Sequence, residues 1–111
     1  MKYREEKYFP FPWRILNDKK FKELSSSAKI VIMYLFYFEH KFSESKRDDK
    51  FFVVDMDLVE ATGLSLRTIT DAKGEIKEKL GHIIEIFYMH WQDIETGKRS
   101  KKHVTGYRFL I

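Results

Sequence analysis

The chain has 111 residues, a formal net charge of +4, 43% hydrophobic residues and no cysteine. That length holds one domain, 1–111, with enough apolar material for a core and no room for a second; the missing cysteine excludes a disulfide framework and every cysteine-ligated metal site. The balance of 21 Lys and Arg against 17 Asp and Glu permits an acidic partner such as nucleic acid without demanding one.

Ten Phe, six Tyr and two Trp are a heavy aromatic load for this length. Either the core is unusually aromatic or some rings face partners, since aromatic residues are enriched at interfaces. Residues 1–14 form an aromatic, proline-containing arm. In its YFPFPW run, Pro10 and Pro12 resist helix and push Phe9 and Phe11 toward extended backbone. The arm packs its rings either on the body or on a second subunit, with Phe9, Phe11 and Trp13 as the contacting residues. The opening MKYREEKYF has acidic residues and no apolar run, which is not the pattern of a signal peptide.

Ile15 to Leu24 suits a short helical turn anchored by Leu16, Phe21 and Leu24. Ser25, Ser26 and Ser27 then offer caps for a helix from about Ala28 to Phe38. In that helix Ile30, Val31, Tyr34, Leu35 and Phe38 fill one broad stripe, while Ile32, Met33, Phe36 and Tyr37 occupy much of the remainder. A helix apolar on more than one side is either central in the core or shared between the core and a dimer contact through Tyr34 and Tyr37. Its apolar run, Ile30 to Phe38, is far too short to span a bilayer, and an intracellular, cytoplasmic protein with no membrane partner is expected. The mixed-charge stretch Lys41 to Lys50 reads as an exposed loop. Phe51 to Val54 is a short strand-like run before Asp55.

Asp55 to Leu80, DMDLVEATGLSLRTITDAKGEIKEKL, combines a short helix, a glycine corner and a second helix, the layout of a helix-turn-helix. Asp55 or Asp57 can cap the first helix, Gly63 can take the positive φ that closes it, and Ser65 can cap the second. Ile69, Ala72, Ile76 and Leu80 recur at three and four residues. This leaves Arg67, Thr68, Thr70, Asp71, Lys73 and Lys77 largely on other faces, as a polar and mostly cationic outward set. The acidic residues Asp71, Glu75 and Glu78 interleave with Lys73, Lys77 and Lys79, which is also the pattern of a solvated, charge-paired helix.

His82 to Gln92 and Val104 to Ile111 are β-branched and aromatic runs separated by the polar, glycine-containing segment Asp93 to Ser100. The chain therefore ends in a hairpin with a long loop. Lys98, Arg99, Lys101, Lys102 and His103 cluster there and can lie along phosphates. Alternation in the first strand is imperfect: Ile84, Ile86 and Tyr88 compete with Phe87, Met89 and Trp91 for the inner face, which implies a bulge or a sheet covered on both sides. Tyr107, Phe109 and Ile111 alternate cleanly, and Gly106 marks a close approach. His40, His82, His90 and His103 lack zinc-site spacing, so neither a metal nor another cofactor is expected. The carboxylates of Glu60, Glu75, Asp55 and Asp57 read as solvated surface acids rather than catalytic groups, and no enzyme is expected.

The stretch PWRILNDKKFKELSSSAKIVIMYLFYF followed by DMDLVEATGLSLRTITDAKGEIKEKLGHI resembles the winged helix-turn-helix superfamily. More narrowly it looks like the N-terminal DNA-binding domain of plasmid and phage replication initiators, and like small viral or archaeal winged-helix regulators. The resemblance implies an α+β fold: a three-helix core, a small antiparallel sheet and a C-terminal wing hairpin. It also implies that the helix at Ser65 to Leu80 enters the major groove while the loop at Asp93 to Ser100 touches the adjacent groove or backbone. Initiators usually carry a further domain, so a small regulator, or an isolated domain of a larger ancestor, is the expected form.

Carried over by position, Arg67, Thr68, Thr70, Asp71 and Lys73 become the base-reading set. Ser65 opens a helix end whose free amides can bond phosphate. Arg67 or Lys73 can reach base acceptors and the threonines an acceptor or a thymine methyl; Asp71 can accept from a cytosine amine or pair with Arg67. Lys77, with the cationic hairpin, supplies phosphate contacts. The expectation is sequence-specific binding of double-stranded DNA by a homodimer, in transcriptional regulation or at a replication origin. The alternative is a protein-interaction module on the same fold, using the aromatic arm and first long helix.

Overall fold

The computed structural model describes residues 11–42, 50–92 and 99–110, with the backbone alone for 89–92 and 99–104. Among them are five helices and one three-stranded antiparallel sheet, an α+β arrangement.

The front of the chain forms two one-turn helices. In α1 (Trp13–Leu16), Pro12 stands at the N-cap and its carbonyl accepts from the amides of Ile15 and Leu16. In α2 (Lys19–Lys22), Asp18 is a side-chain cap, its Oδ1 accepting from the amides of Lys20 at 2.8 Å and Phe21 at 3.1 Å. A cap of this kind satisfies amides that a one-turn helix cannot pair within itself. Ser25 caps α3 (Ser26–Lys41) by accepting from the amide of Ala28 at 3.2 Å. The long helix thus begins two residues earlier than its apolar pattern predicts and continues a little beyond Phe38, to Lys41.

Ala28, Val31, Ile32, Leu35 and Phe38 form the buried side of α3. Ile30, expected in that stripe, is 37% exposed, and Ile32 takes its place in the core. The rotation has a local cause: the flanking strand and helices reach α3 from the Ile32 side, where Phe36 packs edge-on to Phe109 at 5.2 Å and to Phe11 at 5.5 Å. Phe11 also lies 6.2 Å from Phe21, so this part of the arm packs on the body.

After β1 (Phe51–Phe52) comes α4 (Asp55–Thr62), closed by Gly63 at φ +76°. Neither aspartate caps α4. Val54 occupies the N-cap with no side-chain bond, and the Asp55 carboxylate turns instead to Lys73. Ser65 caps α5 (Leu66–Lys79), its Oγ accepting from the amide of Thr68 at 3.1 Å.

The strands β2 (Ile84–Gln92) and β3 (Arg99–Phe109) pair antiparallel, and β1 adds to the other edge of β3, giving the order β1-β3-β2. The register is irregular between His90 and Gln92. β3 begins at Arg99, five residues before the expected Val104, which puts Arg99, Lys101, Lys102 and His103 inside a strand rather than in a loop. Extended pairing is favoured there because each residue opposite a β2 partner satisfies backbone groups that a loop would leave to water. On the inner face Ile84, Ile86, Thr105 and Tyr107 are buried, and Phe51 stacks on both Tyr107 and Phe109.

The opposite face of the sheet explains Gly106. Phe52 and Phe87 flank it in register, and their rings meet edge-to-face at 6.5 Å across it. A Cβ at this position would overlap the Phe87 ring and stand 2.9 Å from Phe52 Cε1. Beside them Arg108 Nη2 donates to both carboxylate oxygens of Glu85, at 2.8 and 2.9 Å, a cross-strand ion pair.

Gly106→Ala is expected to destabilise the chain by about 1–3 kcal/mol through overpacking, measured as a lower midpoint in urea. Tyr107 supplies a second test. Its ring is wholly buried, and among the described residues its hydroxyl has only a weak contact with the Thr105 side chain. Burial, reinforced by the charge of Asp55, pushes the phenol well above its ordinary range. A pKa raised in the folded state means stability is fully present below the unfolded value and falls as pH rises past about 10, where the unfolded tyrosine ionises. Tyr107→Phe should therefore match or exceed the wild-type stability at pH 7 and lose less of it between pH 9 and 11, read by denaturation at each pH.

Candidate nucleic-acid interface

The helix α5 is amphipathic in the literal sense that its two sides have separate duties. Ile69, Ala72, Lys73 and Ile76 are buried, and Leu80 continues that side beyond the helix end. Leu66, Arg67, Thr70, Asp71, Gly74, Lys77 and Glu78 face solvent. The C-terminal half is also tied down laterally. Glu75 Oε2 accepts from the amide of Ser25 at 2.6 Å, and Lys79 Nζ donates to the carbonyl of Glu23 at 3.5 Å. Just past the helix, His82 Nε2 donates to Asp18 Oδ2 at 2.7 Å; this bond holds the Asp18 carboxyl below its usual range, against a smaller opposing effect of burial. Among the described residues the N-terminal half has no such tethers.

The expected outward residues are therefore divided. Arg67, Thr70, Asp71 and Lys77 share the exposed face. Ser65 and Thr68 stand at its edge, but their hydroxyls are 2.8 Å apart and the Ser65 oxygen also caps the helix, so their first use is local. Thr70 Oγ1 donates to the carbonyl of Leu66 at 3.0 Å, which leaves its oxygen lone pairs and methyl group facing outward. Arg67 and Asp71 do not form the intrahelical pair that their spacing allows; neither is bonded to another described side chain.

Lys73 is the correction. It is only 4% exposed and does not belong to the outward set. Its Nζ donates to Asp55 Oδ1 at 2.7 Å and to Thr105 Oγ1 at 3.3 Å, and lies 5.6 Å from the centre of the Tyr88 ring. The physical reason is phase. Lys73 stands four residues after Ile69 and three before Ile76, so it points down the same stripe, and its ammonium is tolerated there only because partners await it. That spacing was the signal in the sequence, outweighed by the charge. With Lys73 withdrawn, the exposed face carries Arg67 and Lys77 against Asp71 and Glu78. The surface is charge-balanced, not mostly cationic.

Lys77 keeps an outward position, with Nζ 5.5 Å from the centre of the Tyr88 ring. Tyr88 itself is 49% exposed and sits at the point where β2 leaves the body. The backbone of Arg99, Lys101, Lys102 and His103 runs on from there along β3, whereas Lys98 lies outside the described residues.

The residues expected at a dimer contact are also divided. Phe11 packs on Phe21 and Phe36, Trp13 is 76% exposed, and Phe9 lies outside the described residues. Tyr34 and Tyr37, T-shaped to each other at 6.3 Å, line with Met33 and Ala61 an apolar groove of about 550 Å³ between α3 and α4. Among the described residues no group of three or more His, Asp or Glu is arranged to hold a metal ion, and no helix is long and apolar enough to cross a membrane.

Gly74 stands at the centre of the exposed face of α5 with open space where its Cβ would be. Glycine within a helix costs about 1 kcal/mol relative to alanine. Gly74→Ala should raise stability by about that much, seen as a rise of a few degrees in Tm. Set against protein-family models, curated proteins and solved structures, the chain finds no match in any of them, which leaves its own residues as the guide to what this surface does.

Proposed function

We propose that this chain is a winged-helix protein that binds double-stranded DNA sequence-specifically, as a small transcriptional regulator or an origin-binding protein. The observation that carries the reading is α5: it is seated in the core along one side only, its untethered N-terminal half is exposed, and a basic hairpin starts beside it. A helix mounted in this way presents side chains at the width of a major groove.

In this reading α5 is the recognition helix. Arg67 reads base acceptors, Thr70 meets a thymine methyl or an acceptor, and Asp71 accepts from a cytosine amine. The first amides of α5, unused by its own ladder, face a phosphate together with Lys77. The balanced charge of the helix face assigns most of the nonspecific affinity to the hairpin, where Lys98, Arg99, Lys101, Lys102 and His103 follow the backbone. One domain of this size buries little DNA, so two copies on a symmetric or repeated site supply the remaining affinity. The exposed Trp13 and the groove at Met33, Tyr34, Tyr37 and Ala61 are the apolar surfaces that support pairing.

The same groove supports a second reading, a protein-interaction module. One experiment separates the two: selection of bound duplexes from a random pool at near-physiological salt, followed by titration of the winner and a scrambled control across salt concentration. Specific binding predicts an enriched motif. It further predicts that Arg67→Ala costs about 1–3 kcal/mol of discrimination, while replacing Arg99 and Lys101 by alanine weakens binding to every duplex and lowers the salt slope by about 1 for each phosphate no longer neutralised. No enrichment, with equal and feeble binding to all duplexes, would favour the protein-interaction reading.

A further inference from the structure

The buried cation at the root of the hairpin has no part in base reading, yet it touches every element that the proposed DNA interface contains. We infer that Lys73 is a positioning residue that sets the angle between α5 and the β2–β3 hairpin, so that the reading helix and the basic strand can meet one duplex together. The inference rests on the DNA-binding reading for its purpose, and on geometry alone for the positioning itself.

The Lys73 ammonium joins four elements at one point. Its stem belongs to α5; Asp55 Oδ1, 2.7 Å away, is in the first turn of α4; Thr105 Oγ1, 3.3 Å away, is on β3; and the Tyr88 ring, 5.6 Å away, is on β2. Tyr88 and Thr105 face each other in the ladder, so the cation addresses both strands at the same rung. On the body side of that rung Ile84, Ile86 and Tyr107 are buried, and at the rung itself Tyr88 is already half exposed. Beyond it the strands continue to Gln92 and Arg99.

The lever arm makes the angle matter. Four to six further residues at about 3.3 Å each carry the hairpin roughly 13–20 Å past the rung. A tilt of about 10° at the root moves the far end by about 3 Å, more than a phosphate hydrogen bond tolerates. Apolar contact alone would hold such a junction weakly in orientation, because burial is non-directional, whereas an ammonium with two oxygen acceptors has preferred directions. Lys77, one turn on along α5, also lies 5.5 Å from the centre of the same ring.

The test uses the full chain. Because it has no cysteine, labels placed through D71C and K101C are the only ones, and the distance distribution between α5 and β3 can be read by pulsed electron spin resonance. Thr105→Val removes the strand anchor while keeping the ion pair and side-chain volume. The double substitution D55N/K73M removes both charges together, so neither is left buried and unpaired. Unlabelled versions are titrated with the selected duplex and its scrambled control.

In both folded variants the distance distribution should broaden, and affinity for the selected duplex should fall on the order of tenfold while affinity for the scrambled duplex changes far less. An unchanged distribution with unchanged discrimination in either folded variant overturns the inference. If wild-type chain prefers no duplex but the distribution broadens as expected, the DNA-binding reading fails and the positioning role of Lys73 stands.

Discussion

The packing of α5 against α3 governs what the rest of the molecule can present. Ile69, Ala72 and Ile76, with Leu80 beyond the helix end, bury one side of α5 among Val31, Ile32 and Leu35 of α3. Each fully buried aliphatic side chain contributes about 1.5–3 kcal/mol, so the stripe outweighs any local preference of the helix for another orientation. Once it is seated, the opposite face is committed to solvent and the Glu75 and Lys79 ties fall on the flank toward the α2–α3 junction. The exposed face, its balanced charge and the bare backbone at Gly74 are consequences of that seat.

Lys73 sits in this stripe as an exception. A buried ammonium is tolerable only with partners, and breaking a buried pair by removing one member costs about 3–5 kcal/mol. Asp55 is partly solvated, which places this pair toward the lower end. Two apolar residues of matching volume would hold the same elements together as firmly. What the pair adds is direction: it specifies which turn of α4 and which rung of the hairpin meet α5. The Tyr107 hydroxyl nearby, buried with only a weak contact to Thr105, is the local penalty of building a polar junction under an aromatic sheet.

The aromatic load resolves mainly into core filling. Phe21, Phe11, Phe36, Phe109, Phe51 and Tyr107 form a continuous chain of ring contacts from α2 across α3 to the inner face of the sheet. Large rings fill the volume between a few short elements with few residues, which suits a domain of this size. On the outer face Phe52 and Phe87 close over Gly106, with Lys50 Nζ 5.1 Å from the Phe87 ring. Trp13 and Tyr88 are the rings that remain largely in solvent among those described, one beside α1 and one at the hairpin root.

Features governed by neighbours in the chain were legible from the residues. Ser25 and Ser65 cap the helices they precede, Gly63 takes the left-handed turn, and Gly106 marks a crowded approach, because each depends on contacts within a few positions or on the absence of a side chain. The helix–glycine–helix order and the terminal hairpin follow from periodicity and turn residues in the same way, whereas the pairing of Phe51 with Tyr107 joins distant segments and was expected only from the resemblance. The Asp55 carboxylate was legible as acidic and near a helix start, yet its partner is 18 residues away; Lys73 was legible as a helix cation, yet its second acceptor is 32 residues away. The sequence alone thus determined the main elements, their order and the serine caps of α3 and α5, since local sterics and hydrogen bonding act over one turn. Only the tertiary structure decided which side of α5 Lys73 would take, where Asp55 would point and how the charge of the exposed face would balance, because those depend on the energy of contacts between segments that meet only after the chain has folded.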